Sequence, residues 1–443
     1  MVVMAMRGLI TAASLIACGA LFACSTPAFE DPIKPPVVAR IALSPGVNNT
    51  WVAAYILPAP VPELVFMRQP NDSRTKDWKP GPGLELVRVD GKERLRRTDG
   101  LPLKEAVVSV PAVYRDLPMD YAPFSPFGDG GLLAYTGRFF ACPTDCADDA
   151  KFEIVLGASG QTILVDGLRH KDQAAWVDSA EGRNVYIGNT TPVETPDFLA
   201  VIDAALPEKI RTQLAAQLPG FMHFFADRMG ALHDRPMLFA SYDIRPTDGF
   251  GRQGGTLPGQ VFVHFYGEAW PQEMSKPDFA DDLAWHFAHE AAHLYQSQIY
   301  FEDDAGAWIH EGGAEAFAAI AMRAQGFTAG ADQHIADAAR TCHAKLAGRS
   351  ISAALAAGEY QVAYACGLQI NLGLDAELRR VAPSSDGLFS VWRDYRNRVA
   401  GRTPTYEDFY AAIAKVGSPA IADFVRASVN TPATPGGAGS GQW

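Results

Sequence analysis

A pair of histidines flanking a glutamate has the spacing of a metal site. The chain contains His289-Glu290-Ala291-Ala292-His293, an H-E-x-x-H pattern, and no helix breaker lies between Leu283 and Tyr300. Residues four positions apart on a helix share one face, so both imidazoles can bind one zinc ion. Glu290 cannot join them on that face, but it can reach a water in the open metal position. We therefore predict His289 and His293 as zinc ligands and Glu290 as the catalytic residue.

A second helical stretch, which begins near Ala307, supplies a third ligand. It reads Trp308-Ile-His-Glu-Gly-Gly-Ala-Glu-Ala-Phe317, in which Glu311 and Glu315 are four positions apart and share a face. We predict Glu311 as the third ligand. Glu315 would accept the spare N–H of a ligating histidine and fix its tautomer. The competing arrangement places a third histidine six residues after the second, and Ile299 at that position excludes it.

The two blocks together resemble the gluzincin zinc metallopeptidases, especially the alanyl/leucyl and glycyl aminopeptidase group. That group carries H-E-x-x-H followed by W-L-N-E-G-x-A, and Trp308-Ile309-His310-Glu311-Gly312 is similar to this second block. The resemblance implies a zinc peptidase in which Glu311 is the third metal ligand. Two details differ. His310 replaces the usual asparagine, and the spacer after His293 is one residue shorter than usual.

The chain departs from that group where the substrate's free amino end is recognised. The Gly-x-Met-Glu-Asn segment of the family is absent, and the region we align with it is Gly259–Phe265. The resemblance thus supports the peptidase machinery and not aminopeptidase specificity, which favours an endopeptidase or a carboxyl-side preference. By analogy with thermolysin-like folds, we predict Gln260–Tyr266 as the sheet edge that pairs with an extended peptide. His264 in this strand is either a substrate contact or a bystander.

The predicted function is hydrolysis of peptide bonds by metal-activated water, with Glu290 as general base and then proton donor to the leaving amine. One zinc ion is the only cofactor that this chemistry requires. The partner is a peptide or protein substrate. The alternative is a catalytically inactive zinc- or peptide-binding envelope lipoprotein on a peptidase scaffold. Retention of Glu290 favours the enzyme, because inactive relatives are expected to lose this residue.

Three further side chains could belong to the site. His286 lies one turn before His289, and we interpret it as a neighbour because a catalytic zinc must keep an open position. Gluzincins often place a tyrosine opposite the zinc to stabilise the oxyanion, and Tyr364 is the candidate. Core packing is nevertheless the favoured role for both Tyr360 and Tyr364.

Length, composition and charge exclude some classes of protein. The chain has 443 residues and 48% hydrophobic content, enough for two or more domains with substantial cores. Its net charge is −12 without a compensating basic cluster, which argues against nucleic-acid binding. These properties leave the oligomeric state undetermined.

The first 24 residues resemble a bacterial lipoprotein signal peptide. Arg7 precedes an apolar run, Gly8–Ala23, and Cys24 follows it. We predict lipidation of Cys24, with Cys18 as a weaker candidate position and an ordinary cleaved secretory signal as the alternative. Either signal exports the protein, and a lipid anchor would hold it in the cell envelope facing the periplasm or the exterior. No later apolar run approaches the roughly 18 residues that span a bilayer.

The remaining cysteines are even in number, as expected in an oxidising compartment. Cys142, Cys146, Cys342 and Cys366 allow three pairings. Proximity in the chain favours Cys142–Cys146 and Cys342–Cys366.

The predicted fold class is α+β, with an antiparallel β-sandwich domain followed by a thermolysin-like, mostly helical catalytic domain with a small sheet. The resemblance implies the same order. Alternating, turn-punctuated segments such as the hairpin formed by Leu84–Val89 and 93–96 predict the sandwich. Apolar spacing of three and four predicts helices at 331–347 and 359–374 and helical structure at 196–230, interrupted at Pro207 and Pro219. The predicted boundaries are a tether at 25–46, the sandwich at 47–189, the catalytic domain at 196–430 and a disordered tail at 431–443.

Overall fold

Strands with alternating buried and exposed side chains make up the first half of the fold. The computed structural model describes residues 37–432 except 119, 180, 197, 244–249, 297–303 and 401. A short α-helix, α1 (Ser73–Asp77), and a 3-10 helix, Thr136–Phe139, interrupt these strands. In chain order the strands are β1 (Ala39–Pro45), β2 (Thr50–Val61), β3 (Glu63–Phe66), β4 (Lys79–Pro80), β5 (Leu84–Val89), β6 (Lys92–Arg97), β7 (Leu103–Pro111), β8 (Phe124–Pro126), β9 (Leu132–Tyr135), β10 (Ala141–Cys142), β11 (Lys151–Val165), β12 (Leu168–Ser179) and β13 (Asn184–Gly188).

Two sheets built from these strands share one hydrophobic core. A nine-stranded sheet has the order β4-β7-β2-β1-β11-β13-β9-β8, with β12 also paired to β11, and a four-stranded sheet has the order β10-β3-β6-β5. Tyr55 and Ile154 of the larger sheet and Leu64 and Leu95 of the smaller one belong to the same buried cluster. The predicted sandwich was purely antiparallel. This is wrong for one pair, because β1 runs parallel to β11.

The chain enters the larger sheet earlier than the sequence suggested. The prediction of a tether up to Gly46 is wrong for Ala39–Pro45, which form β1 between β2 and β11. Ala39, Ile41 and Leu43 alternate along this strand and are almost fully buried. Their burial against the sheet core explains why the segment is a strand, although prolines dominate the sequence just before it.

The predicted hairpin is present as β5 and β6. Asp90 and Gly91 form its turn with positive φ angles of 52° and 76°, the left-handed conformation that tight hairpin turns require. The segments on either side of Gly157 and Gly160 belong to one strand, β11. Its pairing with β12 shifts register between Gly157 and Thr162.

A smaller sheet and a helical region follow. The described strands of this sheet are β14 (Val193–Glu194), β15 (Leu199–Ile202), β16 (Met237–Asp243), β17 (Gly251–Leu257) and β18 (Gln260–Tyr266), and they lie in the order β14-β15-β16-β18-β17. The described helices are α2 (Glu208–Met229), α3 (Trp270–Glu273), α4 (Phe279–Gln296), α5 (Ala307–Ala324), α6 (Thr328–Leu346), α7 (Ile351–Ala356), α8 (Gln361–Val381), α9 (Leu388–Val399), α10 (Tyr406–Val416) and α11 (Pro419–Asn430).

Two predictions for this region are wrong. The helical spacing assigned from residue 196 onwards breaks down at β15, which pairs in parallel with β16, and α2 begins only at Glu208. The edge strand is also misplaced. β18 lies between β16 and β17, so β17 is the edge of this sheet. β18 is buried along almost its whole length, as expected for an interior strand with an apolar sequence.

Close packing of α5 on α8 holds in place the helix that carries Glu311, the third predicted ligand. The helices approach so closely at Gly312 and Gly367 that a methyl group added to Gly312 would lie 2.4 Å from the Gly367 Cα atom. Asn371 of α8 donates a hydrogen bond to the Trp308 carbonyl oxygen at 3.2 Å. The glycine next to Glu311 therefore serves the packing of the helix that carries this carboxylate.

Both predicted disulfides are present. Cys142–Cys146 closes a short loop, and Cys342–Cys366 joins α6 to α8. No helix among the described residues combines the length and apolar character needed to cross a membrane. The predicted signal peptide with Cys24, the tether up to residue 36 and the tail from residue 433 lie outside the described residues.

Candidate active site

α4 and α5 bring the three predicted metal ligands together. His289 Nε2 and His293 Nε2 are 3.0 Å apart, and Glu311 Oε2 lies 3.3 Å and 3.2 Å from them, respectively. Four-coordinate zinc with bonds near 2.0–2.2 Å would hold neighbouring ligand atoms roughly 3.3–3.5 Å apart. The nearly equilateral triangle of one carboxylate oxygen and two imidazole nitrogens therefore fits a zinc ion.

The electrostatics of this triangle favour a positive charge. Burial by itself lowers the pKa of His289, but its close contacts with the carboxylates of Glu311 and Glu315 outweigh this effect and raise that pKa well above its usual value. Burial likewise raises the pKa of Glu311, but the charge of His293 and contacts with both histidines hold it well below the usual range. Glu311 is thus an anion among imidazoles, the donor set that a zinc ion prefers.

Two further residues hold the histidines by their other ring nitrogens. His289 Nδ1 is 2.9 Å from Glu315 Oε1, an ion-pair contact without the alignment of a linear hydrogen bond, and Trp285 Nε1 donates to Glu315 Oε2 at 3.0 Å. His293 Nδ1 donates to Gln296 Oε1 at 2.8 Å. These contacts leave both Nε2 atoms facing Glu311. Glu315 occupies the place that we predicted, whereas sequence reasoning missed Gln296.

Replacing Glu315 by glutamine is expected to weaken zinc binding by roughly 10-fold to 100-fold, the usual cost of losing a carboxylate that orients a ligating histidine. Competition with a fluorescent chelator measures this affinity. Glu377→Gln is the matched control, because Glu377 is also a helical glutamate in an ion pair, with Arg380, but lies outside the cavity. Equal zinc affinities of the Glu315→Gln and control variants would contradict this role.

Glu290 lies beside the triangle and not in it. Its Oε2 atom accepts a hydrogen bond from Thr256 Oγ1 at 2.9 Å, and its Oε1 atom is 4.0 Å from His286 Nδ1. The group of metal-binding character found among the described residues consists of His289, His293 and Glu311 alone. Glu290 is therefore available for a role other than metal ligation, and His286 lies beside it outside the group.

A cavity of about 610 Å³ opens over the triangle. Its walls come from α4, α5, α6, α8, the edge strand β17 and, from the first half of the chain, Tyr121. The Tyr121 hydroxyl covers Gly255 so closely that a Cβ atom on Gly255 would be 2.3 Å from it. The residues lining the cavity are Tyr121, Arg252, Gly254, Gly255, Thr256, Asp282, Trp285, His286, His289, Glu290, His293, His310, Glu311, Glu315, His334 and Tyr364.

Tyr364 lines this cavity, and Tyr360 does not. Both are exposed, at 41% and 45%, so the prediction of core packing is wrong for each. Tyr360 immediately precedes α8, and Tyr364 lies in the first turn of this helix. The Tyr364 ring lies 6.0 Å from that of His289 at an angle of 23°. Burial of its hydroxyl, followed by the negative charges of Glu311 and Glu290, raises its pKa.

Three histidines that are not predicted metal ligands contact other side chains of the protein. His310, at the position where the similar family has asparagine, stacks on His293 with 4.6 Å between ring centroids. His264 is buried, contacts Ser241 Oγ at 2.7 Å, packs against Tyr114 with 4.0 Å between ring centroids and does not line the cavity, which favours the interpretation as a bystander. His223 lies at the surface, where its side chain is 68% exposed beside Asp227.

Several residues of the cavity gave no signal in the sequence. Thr256 and Arg252 lie in β17, which has neither an aspartate nor a glutamate between Gly251 and Leu257. The strand that borders the site thus also lacks the amine-reading glutamate of the similar family. Gln296 was accessible to prediction, since it lies three residues after His293 on the same helix face.

Comparisons with known proteins find similar structures but no similar sequences. No family model matches the chain, and no curated protein matches it. Among solved structures, an aminopeptidase N family protein from Idiomarina loihiensis has a TM-score of 0.66 at 11% identity, over 89% of this chain and 76% of that one. Native yeast LTA4 hydrolase has a TM-score of 0.52 at 10% identity, over 90% and 68%.

A third solved structure is a glutamate-to-alanine variant of a two-domain M1 zinc metallopeptidase bound to L-arginine. It has a TM-score of 0.50 at 13% identity, over 90% of this chain and 94% of that one. The chain therefore has the mixed α/β fold of the M1 zinc metallopeptidases. The resemblance stated from the H-E-x-x-H and second glutamate blocks is confirmed at the level of this scaffold.

Proposed function

We propose that the protein is a zinc-dependent peptidase that hydrolyses peptide bonds with Glu290 as general base. The observation that carries the proposal is the triangle of His289, His293 and Glu311 beside Glu290 in one open cavity. One zinc ion would be held by these three side chains. When bound, it would supply a Lewis acid that polarises a carbonyl group and lowers the pKa of a water molecule.

Glu290 is placed to move protons. Its carboxylate is held by Thr256, so one oxygen is oriented while the side chain still borders the cavity. In the proposed reaction it accepts a proton from the attacking water and later gives this proton to the leaving amine. Thr256 keeps the carboxylate in position through its hydroxyl group.

Tyr364 is the proposed hydrogen-bond donor to the oxyanion that forms at the substrate carbonyl. Its raised pKa keeps the hydroxyl protonated at neutral pH, and its ring lies near His289 at the cavity wall. A donor in this position would stabilise charge that develops in the transition state. The position above His289 supports Tyr364 over Tyr360, which does not border the cavity.

The proposed substrate is an extended peptide. Among the described strands, β17 lies at the edge of its sheet with one side unpaired, and it borders the cavity through Arg252 and Gly254–Thr256. An edge of this kind can hold a peptide by backbone pairing. The absence of an acidic residue in β17 supports endopeptidase action or a carboxyl-side preference.

We also propose that the protein is exported and attached to the cell envelope through a lipid on Cys24. The signal-like sequence of residues 1–24 supports this, and so do the two disulfides, which persist in oxidising compartments. Mass spectrometry of the mature amino terminus tests it. An unmodified amino terminus elsewhere in the chain would exclude the anchor.

Cleavage of a mixed peptide library tests the proposed function. The zinc-loaded protein should cleave a subset of the peptides, a chelator should abolish cleavage, and added zinc should restore it. Stoichiometric zinc without cleavage of any peptide would instead support the catalytically inactive, metal- or peptide-binding lipoprotein. The cleavage positions would also distinguish endopeptidase from exopeptidase action.

A further inference from the structure

One cation in the cavity is not used by the proposed chemistry. Arg252 is the only arginine or lysine among the described residues that line the cavity, and its side chain is exposed there. Its guanidinium forms no ion pair or side-chain hydrogen bond with another described residue. Asp282 and Glu290 act on it only through longer-range attraction.

The nearby carboxylates already have other partners. Asp282 Oδ1 lies 3.0 Å from His334 Nε2, whose ring stacks on Trp285 with 4.4 Å between centroids. Glu290 accepts its hydrogen bond from Thr256. The fork of donors on Arg252 is therefore open to an acceptor that enters the cavity.

The strand fixes how far this guanidinium lies from the reacting groups. Arg252 and Thr256 point to the same face of β17, because side chains alternate along a strand. Four residues of strand separate their Cα atoms by about 13 Å. Thr256 contacts Glu290, and eight residues of α4, about 12 Å, lead from Glu290 back to Asp282. Along an extended peptide bound in the cavity, Arg252 would thus lie a few residues away from the bond to be cleaved.

We propose that Arg252 is a specificity-determining residue that binds a carboxylate of the peptide substrate. The group is either the carboxyl terminus of a short peptide or an acidic side chain, within a few residues of the scissile bond. A guanidinium can bind a carboxylate through two parallel hydrogen bonds, which fixes position as well as charge. A peptide paired along β17 would carry this group past Thr256 to the Arg252 end of the cavity. The inference rests on the proposed peptidase function and specifies its substrate class.

Matched peptides test the inference. One peptide cleaved in the library is prepared as two pairs. The first pair has a free carboxyl terminus or a carboxyl-terminal amide, and the second pair consists of amides with glutamate or glutamine near that end. We expect the wild type to prefer one carboxylate-bearing peptide by roughly 10-fold to 100-fold in kcat/KM, as for hydrogen bonds to charged groups. The comparison that shows the preference identifies its source.

Arginine variants then assign the preference. Arg252→Met should abolish it, and Arg252→Lys, which keeps the charge but not the paired hydrogen bonds, should retain part of it. Arg88→Met is the matched control, because Arg88 is an exposed arginine on β5, an edge strand away from the cavity. Zinc content and circular dichroism verify that each variant folds.

A binding measurement separates this inference from the proposed function. Calorimetry with the zinc-loaded Glu290→Gln variant compares the carboxylate peptides with their neutral counterparts without turnover. Glu290→Gln should bind the carboxylate peptide more tightly, and the Glu290→Gln/Arg252→Met variant should not. Equal binding of the charged and neutral peptides, or a preference that survives Arg252→Met, overturns the inference. Absence of cleavage by the wild type, with the binding preference intact, would overturn only the peptidase proposal.

Discussion

Replacing Glu290 by glutamine is expected to lower kcat by about 100-fold to 10,000-fold, the range that a positioned general base contributes. Glutamine is nearly the same size and can still accept the Thr256 hydrogen bond, but it cannot take a proton from water. Bound zinc should not change, because Glu290 lies outside the triangle of His289, His293 and Glu311. Steady-state kinetics on a cleaved peptide, with zinc content measured in parallel, tests this.

A matched control separates chemistry from fold. Glu273→Gln also removes a carboxylate. Glu273 is the last residue of α3, forms an ion pair with Lys276 and lies outside the cavity. Its kcat should equal that of the wild type. If Glu290→Gln retains full activity, another group must accept the proton, and the assignment of Glu290 as general base is wrong.

Replacing Glu311 by glutamine, or His293 by alanine, is expected to have the largest effect on the metal. Each removes one of three donor groups that lie 3.0–3.3 Å apart, and Glu311 is the only anion among them. Zinc affinity should fall by more than the roughly 10-fold to 100-fold expected for Glu315→Gln, because a direct bond to the metal is lost. Metal analysis after dialysis, followed by chelator competition, measures the change.

His223→Ala is the control for the histidine variant. His223 also lies on a helix and within 3.3 Å of an aspartate oxygen, but its side chain is largely exposed. It should retain stoichiometric zinc. Retention of zinc by both Glu311→Gln and His293→Ala would mean that the metal binds elsewhere.

The local part of the site could be predicted from the sequence because helices have a fixed period. His289 and His293 share a face of α4, and Glu311 and Glu315 share a face of α5, so each pair was defined by spacing alone. The meeting of the two pairs was inferred from the need for a third metal ligand and from the family resemblance, and not from spacing. The structure brings Glu311 to both histidines through the close approach of α5 and α8 at Gly312, a tertiary contact that no local pattern encodes.

The strand that borders the cavity shows where such reasoning fails. Gln260–Tyr266 is apolar and precedes α4, so it was predicted as the edge strand. The glycine-rich sequence of β17 resembles a loop, yet this segment pairs with β18 along its whole length and forms the edge. The distinction depends on which neighbour each strand acquires after folding. Thr256 and Arg252 could be assigned to the site only once that order was known.

The same limit explains the error at the start of the larger sheet. The prolines before Ala39 suggested an extended tether, and the short alternation of Ala39, Ile41 and Leu43 was too brief to outweigh them. Pairing with β2 on one side and β11 on the other makes this segment an interior strand. The structure of this segment depends on pairing with strands distant in the sequence, whereas the apolar spacing within α4 and α5 is sufficient to predict these helices.

Anomalous scattering from crystals of the zinc-loaded protein, collected on both sides of the zinc absorption edge, locates the metal. We expect one zinc peak at about 2.0–2.2 Å from His289 Nε2, His293 Nε2 and a Glu311 carboxylate oxygen, with Glu290 outside the coordination sphere. Full zinc content without a peak between these three side chains would rule out this metal site.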